Sequence, residues 1–245
     1  MKQQILKVTE NVRIAENVYK MVLEDPDLEE QKPGQFINIR LDGLYLRRPI
    51  SVCESDPGNV VIVYKVVGKG TERLSRIGKR EYLDVLTGLG NGYDLTKAGD
   101  HPLLLGGGAG VPPLVMLARK LREAGKDVNA VLGFNTKQEI FGESAFRETG
   151  CRTTVTTADG SYGVKGFVTD ALPADYSYFY TCGPEPMLRA VYRATKTSGQ
   201  FSFEERMGCG FGACMGCSCK TITGYKRICR EGPVLEKEEI LWANL

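Results

Sequence analysis

Hydrophobic and polar positions alternate through the first part of the chain. Phe36-Ile37-Asn38-Ile39-Arg40-Leu41 alternates behind the turn Pro33-Gly34, and Val60 to Val67 is a β-branched, largely apolar run. A period of two places successive side chains on opposite faces, so these stretches predict strands. Helix-period signals are scarce from Ile5 to about Ala98, and that segment predicts a small antiparallel barrel. From about Gly99 the pattern changes. Leu103-Leu104-Leu105 runs into a glycine-rich turn and then into the apolar-periodic stretch Leu114 to Ala124, closed by Gly125. Val128 to Gly133, Thr153 to Thr157 and Tyr176 to Thr181 predict three further strands, with helical patterns near Glu143 to Glu148 and Phe167 to Leu172 between them. Strands alternating with helices predict a doubly wound parallel sheet. The predicted organisation is a barrel over residues 1–98, an α/β domain over 99–200 and a cysteine-rich loop domain over 201–245.

The last region departs from both periods. It reads Cys209-Gly-Phe-Gly-Ala-Cys214-Met-Gly-Cys217-Ser-Cys219, followed by Cys229-Arg-Glu-Gly-Pro-Val, and holds five of the chain's eight cysteines. C-x4-C-x2-C completed by a distant fourth thiol is the ligand spacing of a plant-type 2Fe-2S cluster, which assigns Cys209, Cys214, Cys217 and Cys229 as metal ligands. Gly208, Gly210, Gly212 and Gly216 let backbone amides approach sulfur without a side chain in the way. Cys219, one residue past Cys217, is read as a bystander. The competing reading is a structural zinc site, which favours paired C-x2-C knuckles and would make the chain a non-catalytic binding module.

Composition narrows the setting. The chain has 245 residues, 42% hydrophobic and 25% charged, with a net charge of +2, which points to neither a nucleic-acid footprint nor a polybasic membrane surface. Met1 to Glu10 lacks the apolar core of a signal peptide, and the uncharged run Pro102 to Ala118 carries three prolines and four glycines, a poor membrane span. A cytoplasmic protein with reduced thiols is expected. The single histidine, His101, sits beside Pro102 at an expected domain edge, so histidine acid-base catalysis is not expected.

Two glycine-containing loops could hold phosphate. Gly106 to Pro113 lies between a strand and a helix, where Gly108 and Gly110 expose backbone amides and Pro113 starts the helix without losing a needed N–H. Gly68-Lys69-Gly70-Thr71 precedes a short helical stretch, with Thr71 expected to cap Glu72 to Ile77.

With these motifs in place, the chain resembles the ferredoxin reductase family. Arg48-Pro49-Ile50-Ser51 matches its R-x-x-S motif, Gly68 to Thr71 its G-x-x-[ST] loop, and Thr87 to Tyr93 its barrel-closing stretch. Gly106 to Pro113 matches its G-x-G-x-x-P variant, and Cys182-Gly183-Pro184-Glu185-Pro186-Met187 its C-G-P-x-x-M nicotinamide motif. The resemblance implies FAD on the barrel. Arg48 would pair with the pyrophosphate, Ser51 would face the flavin N5, and Val63-Tyr64-Lys65 would line the adenine or ribityl side, Tyr64 offering a stacking surface. It also implies NAD as substrate, with Cys182 beside the nicotinamide, flanked by Gly183 and Pro184, and Asp159 to Gly163 facing the same crevice. Ser51 and Cys182 are then the catalytic candidates.

The C-terminal stretches Glu204 to Gly210 and Cys229 to Val234 are most similar to the electron-transfer subunits of two-subunit, NAD-linked dihydroorotate dehydrogenases of pyrimidine (UMP) biosynthesis. That resemblance implies a partner, an FMN-containing catalytic subunit, in a heterotetramer of two of each. Phe211, Met215, Val234, Leu235 and Trp242 are the expected apolar contact residues. Small subunits of NADH-dependent ferredoxin:NADP oxidoreductase or sulfide dehydrogenase share the same motifs and form the alternative.

Overall fold

Along residues 59–65 every second side chain is buried: Val60, Ile62 and Tyr64 point inward while their neighbours stay half-buried. The same alternation closes the N-terminal unit into a six-stranded antiparallel barrel. Its strands are β1 (Lys2–Ala15), β2 (Val18–Glu24), β3 (Phe36–Ile39), β4 (Arg48–Asp56), β5 (Asn59–Lys65) and β6 (Tyr82–Leu89), in the order β1-β2-β5-β4-β3-β6. Closure leaves no unpaired strand, and Leu6, Met21, Ile37, Ile39 and Ile62 fill the interior. Helix α1 (Lys69–Ser75) crosses between β5 and β6. The computed structural model describes residues 1–242, so residues 243–245 of the expected third domain lie outside the described residues.

The second unit is built from β7 (Leu103–Gly107), α2 (Pro113–Glu123), β8 (Asn129–Phe134), α3 (Glu143–Glu148), β9 (Arg152–Thr157), β10 (Val164–Lys165), β11 (Phe179–Cys182), α4 (Glu185–Ala194) and β12 (Gly199–Ser202). The strands β10-β9-β8-β7-β11-β12 run parallel. Alternating side chains pack both faces. Leu104, Ala130 and Leu132 meet Leu117 and Leu121 of α2 and Phe146 of α3, while Leu103, Leu105, Val131 and Phe179 meet Leu188 and Val191 of α4. The helical pattern expected over 167–172 is a single tight turn, Val168–Ala171.

The third region is not self-contained. After the hairpin β13 (Ser218–Thr221) and β14 (Gly224–Arg227), strand β15 (Val234–Glu236) joins β12 antiparallel, pairing Phe201 with Leu235. The expected boundary at residue 200 therefore falls inside β12. Val234 and Leu235 are buried in this strand, which removes them from the expected contact surface, and Trp242 packs on Phe201, Tyr192 and Phe203. Phe211 and Met215 remain exposed.

Two side chains after β6 fasten the units together. Asn91 donates to the carbonyls of Glu231 (3.1 Å) and Val234 (2.7 Å) and accepts from the Val234 amide (3.1 Å). Tyr93 lies edge-on to Tyr180 at 5.6 Å and donates its hydroxyl to the Thr181 carbonyl at 3.2 Å. Among the described residues no helix is long and apolar enough to cross a membrane.

Candidate functional site

Strand β4 brings Arg48 to the phosphate loop. A Cβ on Gly70 would lie 1.9 Å from Arg48 Nε, so the arginine stem crosses the space that only glycine leaves open. Arg48 also donates to the carbonyls of Leu46 (2.5 Å) and Arg47 (3.3 Å), which orient the fork. Thr71 is not the helix cap. Helix α1 starts at Lys69 behind Gly68, and Thr71, one turn in, reaches back to accept from the amides of Val67 (2.9 Å) and Gly68 (3.3 Å). The hydroxyl thus shapes the loop from within.

Pro49, Ile50 and Ser51 continue along β4, all half-buried, with Ser51 opposite Phe36 of β3. On β5, Val63 and Lys65 face outward, whereas Tyr64 points into the barrel, stacked on Tyr19 at 5.9 Å and donating to Asn11 Oδ1 at 2.9 Å. The tyrosine ring is no stacking surface, because strand alternation puts it on the inner face. Lys65 is paired with Glu139 at 2.8 Å. That lysine, together with the Asn135 amide, holds the Glu139 carboxyl below the usual range, against the opposing effect of burial.

The two nucleotide motifs meet at the carboxyl ends of β7 and β11. A Cβ on Gly110 would come within 2.2 Å of the Cys182 carbonyl oxygen, and one on Gly183 would lie 3.3 Å from the Gly107 amide nitrogen. Gly108, with φ at +50°, has no heavy atom within 4 Å of its Cβ position, so its backbone is open to the crevice. Pro113 opens α2 and Pro184 precedes α4. Although Cys182 as a residue is only half-buried, its thiol lies deep enough that burial pushes it up to about 12, with the Ser202 hydrogen bond opposing. It is a neutral thiol at physiological pH, suited to packing beside a ring and unsuited to nucleophilic attack. The loop Asp159 to Gly163 is held by Ser161, whose hydroxyl donates to Asp159 at 2.6 Å and accepts from the Lys137 amide at 2.8 Å.

The four cysteines expected as ligands, Cys209, Cys214, Cys217 and Cys229, stand as two pairs. The Cys209 and Cys214 amides each donate to the other's sulfur at 3.4 Å, Ala213 adds a third amide to Cys209 at 3.2 Å, and the Cys229 amide donates to Cys217 sulfur at 3.4 Å. A two-iron cluster takes two thiolates per iron, so this division fits it, and the amide donors would offset the charge on sulfur. Burial works against ionisation of Cys209, but amides of Phe211, Cys214 and Ala213 bring its thiol down to about 6. Burial and the neighbouring Cys217 push Cys229 up to about 12. Cys219 lies on β13, opposite Lys226 across the hairpin, and packs against the cluster that holds Cys217 and Cys229. Among the described residues, no three His, Cys, Asp or Glu side chains converge on one ion.

Three contributors escaped sequence reasoning. Asn38 donates to the Cys209 carbonyl at 3.3 Å, Asn91 clamps residues 231–234, and Glu139 folds back from beyond β8 onto Lys65. Only Asn38 left a signal: it is the polar member of an otherwise apolar strand.

The family model "Iron-sulfur cluster binding domain of dihydroorotate dehydrogenase B" matches residues 204–241. A Fusobacterium nucleatum protein named "Dihydroorotate dehydrogenase B (NAD(+)), electron transfer subunit" is 46% identical, covering 96% of this chain and 96% of that one. A Geobacillus protein of the same name is 41% identical, covering 98% of this chain and 99% of its own. Among solved structures, an NADH-dependent reduced ferredoxin-NADP oxidoreductase matches with a TM-score of 0.89 and 32% identity, over 98% of this chain and 91% of that one. Phthalate dioxygenase reductase, with a TM-score of 0.67 and 17% identity over 90% of this chain and 87% of its own, shares the fold.

Proposed function

The chain belongs to the electron transfer subunits of dihydroorotate dehydrogenase B (NAD(+)), and on that premise we propose how it works: it relays electrons between NAD and an FMN-containing catalytic subunit, through FAD and a 2Fe-2S cluster, in the cytoplasm. The observation that carries this reading is the pairing of four cysteine sulfurs on a loop that is pinned both to the barrel and to the nucleotide sheet. Flavin supplies the exchange between two-electron hydride chemistry and one-electron cluster chemistry that neither of the other groups can perform alone.

The chain's own residues divide the work. Arg48, laid over Gly70, would fork onto the FAD pyrophosphate, a planar guanidinium matched to phosphate oxygens. Ser51 would present a small hydroxyl at the flavin, and the outward faces of Val63 and Lys65 would flank it. Gly108, Gly110 and Pro113 would admit the dinucleotide phosphates, and Cys182, with Gly183 and Pro184, would border the nicotinamide as a neutral thiol that excludes water. Cys209 with Cys214 and Cys217 with Cys229 would each hold one iron. No group among these is a base poised for dihydroorotate, whose oxidation to orotate belongs to the partner, in an assembly of two copies of each subunit.

The test is orotate formation by absorbance. The chain alone should oxidise NADH with artificial acceptors and form no orotate; adding an FMN-containing dihydroorotate dehydrogenase subunit should give NAD-linked orotate, at a mass of two copies of each. Orotate from this chain alone would refute the relay. The 32% identical oxidoreductase carries a second reading, in which the same scaffold serves ferredoxin and NADP, and turnover with those and not with dihydroorotate would favour it.

A further inference from the structure

Strand β3 has two faces. Ile37 and Ile39 fill the barrel, while Phe36 and Asn38 point the other way. An outward face of a barrel strand ordinarily meets water, yet both residues are buried, Asn38 to 1% exposure. What covers them is the cysteine region. Phe36 packs in one cluster with Cys217 and Cys229, and Asn38 Nδ2 donates to the Cys209 carbonyl. A Cβ on Gly210, at φ +79°, would lie 2.3 Å from Asn38 Nδ2, so the loop comes down directly on the carboxamide.

Along one edge β3 pairs with β4, with Asn38 opposite Pro49 and Phe36 opposite Ser51. Directly opposed residues share a face, so Pro49 and Ser51 of the R-x-x-S strand stand beside the two residues that the cysteine loop covers. Asn38 is an expensive choice for that place. Its Oδ1 is buried with no hydrogen-bond partner among the described residues, and turning the amide over would set oxygen against the Cys209 carbonyl oxygen. An apolar residue would fill the seam without the orphaned acceptor, so packing alone does not account for asparagine.

We propose that Asn38 is the positioning residue for electron exchange between flavin and cluster: its carboxamide fixes the Cys209-Gly210 peptide against the barrel and sets the electrostatics of the first ligand. This rests on the proposed relay of electrons from NADH through FAD to the cluster. Asn38 gains and loses neither electron nor proton, and no bond to it forms or breaks. Its Nδ2–H places a positive dipole end on the carbonyl of a ligand residue. Without that donor the carbonyl's negative end stands uncompensated near the cluster, which disfavours the reduced, more negative state.

The experiment uses the full chain with both cofactors and the variants Asn38→Ala, Asn38→Asp and Asn38→His. FAD and iron per chain, NADH-to-dye turnover, the cluster midpoint by EPR-monitored titration, and the rate of cluster bleaching after mixing with NADH are measured together. Asn38→Ala should keep both cofactors and dye turnover within about twofold, while the cluster equilibrium shifts about tenfold toward oxidised, 59 mV for a one-electron couple. Bleaching should slow with it. Asn38→Asp, isosteric but without the donor, should shift further, and Asn38→His, which keeps a ring N–H, should recover most of the loss. If Asn38→Ala does not fold, the Asp and His variants decide alone. Unchanged potential and bleaching in cofactor-loaded Asn38→Asp would overturn the proposal, as would a fall in dye turnover parallel to bleaching. A wild-type chain that binds no flavin or no cluster would overturn the relay, and this proposal with it.

Discussion

Replacing Gly70 by alanine isolates what Arg48 does without removing its charge. The new Cβ would stand 1.9 Å from Nε, 2.7 Å from Cδ and 2.8 Å from Cζ of Arg48. Non-bonded carbon and nitrogen settle near 3.5 Å, so the guanidinium stem must retreat by roughly 1.5 Å. The stem is flexible and the retreat costs the fold little. What is lost is the aim of the fork, and a charge-assisted hydrogen-bonded pair is worth about 1.5–3 kcal/mol. FAD affinity should therefore fall by about 10- to 150-fold, at about 1.4 kcal/mol per factor of ten. The apoprotein should respond in the opposite direction. Gly70 is within α1, where alanine is favoured over glycine by up to about 1 kcal/mol, so the melting temperature of FAD-free protein should hold or rise. The assay pairs FAD fluorescence on dilution with thermal melting of the stripped chain. Unaltered FAD affinity would refute the placement of Arg48 on the pyrophosphate, and a lowered apoprotein melting temperature would show that the clash strikes the fold instead.

Substituting Cys209, Cys214, Cys217 or Cys229 by serine should strip iron and acid-labile sulfide, while Cys219→Ser leaves both in place; loss with Cys219→Ser alone would reverse the ligand assignment. Asn91→Ala removes three hydrogen bonds to residues 231–234 and should cost about 2–3 kcal/mol in urea unfolding, at about 1 kcal/mol each; a loss below about 0.5 kcal/mol, the scale of ordinary surface substitutions, would mean the clamp is idle. Glu231 is held down to about 2 by Arg227, which also donates to the Gly212 carbonyl of the cysteine loop at 2.7 Å. Because the folded value is depressed, its contribution is full above the ordinary carboxylate value of 4.5 and is lost as pH falls through about 2. Wild type and Glu231→Gln should accordingly differ in urea stability at pH 5 and converge near pH 2; parallel curves would contradict the linkage.

Local pattern carried most of the fold. The alternation at Phe36 to Leu41 and the switch at Gly99 to strand, glycine turn and helix appear as β3 and as β7 with α2. The cysteine spacing was legible as an iron-sulfur pattern, the domain that the family model matches over residues 204–241, because such a pattern is written within a few residues. Failures came where a distant segment decides. Val234 and Leu235 read as apolar surface because nothing nearby reveals that they pair with β12. Tyr64 read as a ligand platform until register put it on the inner face. Thr71 has the chemistry of a cap, but Gly68 occupies that position and turns the hydroxyl back onto the loop. Tyr93 gives its hydroxyl to the Thr181 carbonyl, 88 residues away in sequence. Asn38 is the same lesson in reverse, since its meaning depends on a carbonyl 171 residues away.

The antiparallel strand β15 carries one more consequence. It shields the free side of β12, and it follows closely on Cys229, the last of the four proposed ligands. One short tether, residues 230–233, therefore joins the cysteine loop to the closure of the sheet. Were β15 to lift away, Gly199–Ser202 would be left with a row of unpaired amides and carbonyls. Such a row is a template for strand exchange, and the nearest complementary segment is β15 of another copy.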